Sequence, residues 1–91
     1  MSEQITEHDQ DEHFAEEKLI QAIENQIEAQ DPPAANATLN KLTLVGYPRE
    51  ESLHLMALVL ADEINLMLAE DRAFDRERYE ANLRNLPELP E

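Results

Sequence analysis

Glu50, Glu51 and His54, within the stretch EESLH, are the residues whose types and spacing could do chemistry. Glu50 lies four residues before His54 and Glu51 three before, so on a helix either carboxylate can reach the imidazole. The stretch is one histidine short of the H-E-x-x-H helix of zinc proteases. There, two histidines four apart bind one metal and the glutamate between them activates water. Here Glu50 occupies the first ligand position, and a third protein ligand would still be required. His8 and His13 are the other histidines; five residues apart, they share a helix face poorly and read as solvated.

The run Glu51-Ser52-Leu53-His54 is also an E-x-x-H, the spacing used in four-helix di-iron carboxylate proteins. Those sites need two such motifs and two further glutamates. This chain has one, so a symmetric dimer would have to supply the second, with Glu24, Glu28 or Glu63 as extra ligands. Glu63 lies nine residues past His54, about 180° round a helix, and so faces away from it. The alternative is structural: Glu50 and Glu51 stabilise a helix N-terminus, each by about 0.3–1 kcal/mol. His54 then sits at the rim of a core, where Glu50 can pair with it.

Other catalytic arrangements are missing. Ser2 and Ser52 are the only serines, and neither sits in a nucleophile-elbow context. A single glycine leaves no phosphate-cradling loop. Without cysteine there is no disulfide, thiolate metal site or cysteine nucleophile, which fits a reducing cytosol. No cofactor is expected.

These residues need helices to hold them. Residues 1–10 are polar and acidic, and are expected to form a disordered lead-in. A helix near 11–30 carries the stripe Leu19, Ile20, Ile23 and Ile27, with Glu17, Glu24 and Glu28 outside it. Asp31 is the expected N-cap of a second helix near 32–45, with Pro32 in its first position and Ala35, Leu39 and Leu42 on one side. Gly46 follows where a left-handed C-cap is wanted. Pro48 opens a third helix near 49–69, with Met56, Val59, Leu60, Ile64, Met67 and Leu68 expected in the core. From Leu53 to Ala61 only His54 is polar, so this helix belongs at the centre. Asp75 caps a fourth helix near 75–86, Phe74 staples onto Tyr79, and Tyr79, Leu83 and Leu86 form its stripe. Pro87 and Pro90 end it, leaving 88–91 as a tail. The expected fold is a single all-α, four-helix domain over residues 11–87.

The segments GYPREESLHLMALVLADEIN and LAEDRAFDRERYEANLRNL resemble a group of small bacterial proteins of uncharacterised function. Their pattern is an H-E-A-x-H-like helix followed by an F-D-x-x-x-Y-x-x-x-L-x-x-L tail, matched here by Phe74, Asp75, Tyr79, Leu83 and Leu86. Glu51 and His54 match the glutamate and second histidine, whereas Glu50 replaces the first. The resemblance implies a bacterial, cytoplasmic, all-helical protein and carries no activity with it.

Charge narrows the function further. The chain has 21 acids and seven bases, a net of −14; residues 1–31 hold ten acids and one base, a net of −9. Nucleic-acid binding and anionic membrane surfaces both call for cations, so neither is expected as a partner. The longest apolar run, Leu55 to Ala61, falls short of the roughly 20 residues of a membrane span. The leading expectation is a non-enzymatic module that docks a protein partner, or a second copy of itself, through an apolar patch or its acidic face. The alternatives are a zinc or di-iron-like metal protein using Glu50, Glu51 and His54, and an acidic mimic that blocks a nucleic-acid-binding protein.

Overall fold

The computed structural model describes residues 2–90, with side chains described from residue 16 onward. The expected lead-in over 1–10, with His8, and also His13 and Phe14, lies outside the described side chains. Among the described residues there are four helices and no strand: α1 (Ser2–Ala29), α2 (Pro33–Leu44), α3 (Arg49–Glu70) and α4 (Arg76–Asn85). The all-α, four-helix expectation holds. α3 packs against each of the other three helices, as α2 also does, and it contributes the most buried side chains, seven.

The core follows the expected stripes. Ile23 of α1, Leu39 and Leu42 of α2, Met56, Val59 and Leu60 of α3, and Tyr79, Leu83 and Leu86 around α4 are buried together. Ala34, Ala35 and Ala57 are buried with them. By length and composition α3 could also cross a membrane, with 22 residues and a window of mean hydropathy 1.5. Yet seven of its side chains, Glu63 among them, are buried within the bundle, as suits the central helix of a globule.

The expected ends are largely in place. At the end of α2, the Tyr47 amide donates to the Leu42 carbonyl at 2.9 Å and the Gly46 amide to that of Thr43 at 3.1 Å. This is a Schellman closure, with Gly46 at φ 105°. No atom lies within 4 Å of where a Cβ would stand on Gly46, so backbone strain alone decides what a side chain costs there. Gly46→Ala is expected to lower stability by about 1–2 kcal/mol, or the melting midpoint by roughly 5–15 °C. An unchanged midpoint by circular dichroism would contradict the left-handed closure. At α4 the Asp75 carboxylate accepts from the Arg78 amide at 3.0 Å, the capping bond expected of it. The rings of Phe74 and Tyr79 meet edge-on, 5.3 Å apart, as the staple requires.

Two local readings change. Asp31 does not cap α2. Pro32 holds the cap position, Pro33 starts the helix, and the Asp31 carboxylate pairs instead with Arg76 of α4. Both prolines lack an amide proton, so either suits a helix start. Leu68 is 70% exposed rather than in the core. Residues 68–74 are all exposed, so the last turn of α3 runs past the helices that could cover it.

Candidate functional site

The first turns of α3 place the candidate residues. Glu50 and Glu51 lie in its first turn, as expected, and Ser52 and Leu53 turn inward. That rotation sends His54 outward, where it is half-exposed. Its Nδ1 lies 3.0 Å from Oε2 of Glu16 on α1, so the partner of His54 comes from another helix and not from Glu50. With Nδ1 protonated, the ring donates to that carboxylate. Both groups are open to water, so the contact contributes about 1 kcal/mol or less.

Tyr47, Glu50, Glu51, His54 and Leu55 line one open groove of about 320 Å³. Tyr47 and Leu55 pack against the core from below and give it an apolar floor. Glu50 and Glu51 are exposed at its rim. The candidate metal-binding trio thus faces one groove. Among the described residues, however, no group of three or more histidine, aspartate or glutamate side chains is placed to hold a metal ion. Glu24 and Glu28 line a different, polar groove, which also contains Arg49. Ser52, one of the two serines, has its hydroxyl buried without a hydrogen-bond partner, and no base touches it.

Glu63 is where sequence reasoning missed most. It does face away from His54, as its spacing requires, but that direction leads into the protein. Glu63 is 1% exposed. Its carboxylate accepts from Nε of Arg78 at 2.9 Å, from the second guanidinium nitrogen at 3.2 Å, and from the Asp75 amide at 2.9 Å. The Arg78 hydrogen bonds hold its pKa below the ordinary carboxylate value; burial opposes them, and the Asp75 amide adds to them. Arg78 is raised in turn by the same contact. Both carboxylate oxygens are engaged, by Arg78 and by the Asp75 amide at the start of α4, so Glu63 is a clasp between α3 and α4. The available signal was a glutamate on the buried side of an apolar helix, since such a group needs a cation. Its identity, 15 residues on, was not visible.

Apolar side chains are also exposed at the end of α2. Leu44 and Val45, just before the Gly46 turn, are 85% and 61% exposed. Comparison of the chain with family models, curated proteins and solved structures finds no match. The tail pattern quoted above has a physical role: Phe74, Asp75, Tyr79, Leu83 and Leu86 are the staple, the cap and the buried stripe of α4.

Proposed function

We propose that this chain is a small, non-enzymatic protein-interaction module of the bacterial cytoplasm, docking a protein partner through the corner between α2 and α3. The observation that carries this reading is the pair Leu44 and Val45, exposed at the tight turn whose chain leads through Gly46 to Tyr47 of the apolar-floored groove. Neither side chain contributes to the core. The Schellman closure on Leu42, Thr43 and Gly46 ties down the backbone of the corner, which lowers the ordering entropy lost on binding. Fully covering a side chain of this size contributes about 1.5–3 kcal/mol of apolar burial.

The test pairs stability with binding. Leu44→Ser/Val45→Ser should leave the melting midpoint nearly unchanged, because surface substitutions of this kind shift stability by about 0.5 kcal/mol or less. A protein captured from extracts of the producing cells, then purified and reconstituted with the chain, should bind the double variant at least about tenfold more weakly. Equal binding by the double variant, or a chain that retains no protein at all, would contradict the reading.

A further inference from the structure

We infer that the groove of Tyr47, Glu50, Glu51, His54 and Leu55 receives a basic segment of a partner protein, one bulky apolar side chain flanked by lysine or arginine. This inference rests on the interaction-module reading and names its partner's chemistry. The groove has two parts that ask for different things. Its floor is Tyr47 and Leu55, both only partly buried against the core, in a volume of about 320 Å³ that admits a large apolar side chain. Its rim is Glu50 and Glu51, exposed at adjacent positions. The positive end of α3 opposes cations there, but it amounts to about half a charge against two carboxylates. Arg49, next to Glu50 in the chain, lines the groove of Glu24 and Glu28 and not this one.

Net charge selects among occupants. A second copy would bring its own −14 and the same acidic rim to the contact, so like charges would face each other. A basic segment meets the opposite sign at the rim and is drawn in by the field of the whole chain. Leu44 and Val45, two and three residues before Tyr47 in the chain, are exposed apolar side chains that a longer segment could also cover.

The experiment is a selection of displayed random short peptides on the folded, full-length chain, followed by affinity measurements on the synthesised winners. Winners are expected to carry leucine or an aromatic residue flanked by lysine or arginine. Their binding should weaken roughly fivefold or more in Glu50→Gln/Glu51→Gln, and should weaken as salt rises. That variant changes only exposed side chains, and its melting midpoint confirms that it is folded. Winners without basic residues, or binding indifferent to both the substitutions and salt, would overturn the inference while leaving an interaction module in place. Self-association of the chain through this groove would overturn it in favour of a second copy. If no peptide is enriched, both this inference and the module reading fall.

Discussion

Glu63→Ala should lower stability by about 2–3 kcal/mol and the melting midpoint by roughly 10–20 °C. The substitution removes the acceptor of three hydrogen bonds at once. It strands the Asp75 amide at the start of α4 and leaves Arg78 without its carboxylate. A fully buried pair broken in this way costs more, but Arg78 is 32% exposed, so water rescues part of the loss. The pH dependence has a definite sign. The folded carboxyl titrates below its ordinary value of 4.5, so the stability it contributes is present above that pH and is lost as pH falls through the lowered folded value. Wild type minus Glu63→Gln should therefore shrink on the acid side. The many other carboxylates are common to both chains, so the difference isolates this one. An acid profile identical in the two proteins would contradict the clasp.

The second large effect is expected at Tyr79. Tyr79→Ala should cost about 3–5 kcal/mol, a large share of the stability of so small a domain. The ring is 2% exposed, stacked edge-on against Phe74, and its hydroxyl donates to Oε1 of Gln26 at 2.8 Å. It therefore ties α4 to α1 as well as filling the core. Tyr79→Phe keeps the ring and drops only the hydrogen bond, for about 0.5–1.5 kcal/mol. Burial pushes the phenol up to about 12. A neutral form favoured by folding gives stability that is full below the ordinary value near 10 and is lost as pH rises toward the folded value. Wild type should thus lose stability above about pH 10 more steeply than Tyr79→Phe. If Tyr79→Phe were as damaging as Tyr79→Ala, the hydrogen bond rather than the packing would hold α4.

What the sequence disclosed was mostly local. Gly46 and Asp75 act through backbone atoms within a turn of themselves, so their residue types alone mark the helix ends. Tyr79, Leu83 and Leu86 are set by helical period, and the core has room for that one face. The failures involve partners far along the chain. Asp31 pairs with Arg76 of α4 and does not cap α2, and His54 pairs with Glu16 of α1 and not with Glu50. Glu63 could be placed on the far side of α3 from His54, but not assigned Arg78. Leu68 fits the apolar stripe and yet is exposed, because a period does not reveal where neighbouring helices stop. For the candidate site, EESLH was recognisable as a helix start beside a core rim. Tyr47 joining it from across the Pro48 turn to make a groove was not.

Docking of a protein partner at the α2–α3 corner can be tested directly. The most direct measurement is a nitrogen–proton correlation titration of the labelled chain with a short amphipathic peptide of lysine and leucine. Shift changes are expected to gather at Leu44, Val45, Tyr47, Glu50, Glu51, His54 and Leu55, and to leave the buried α3–α4 clasp at Glu63 and Arg78 undisturbed. Changes confined to the acidic outer face of α1, at Glu17, Glu24 and Glu28, or no saturable change at all, would contradict docking there.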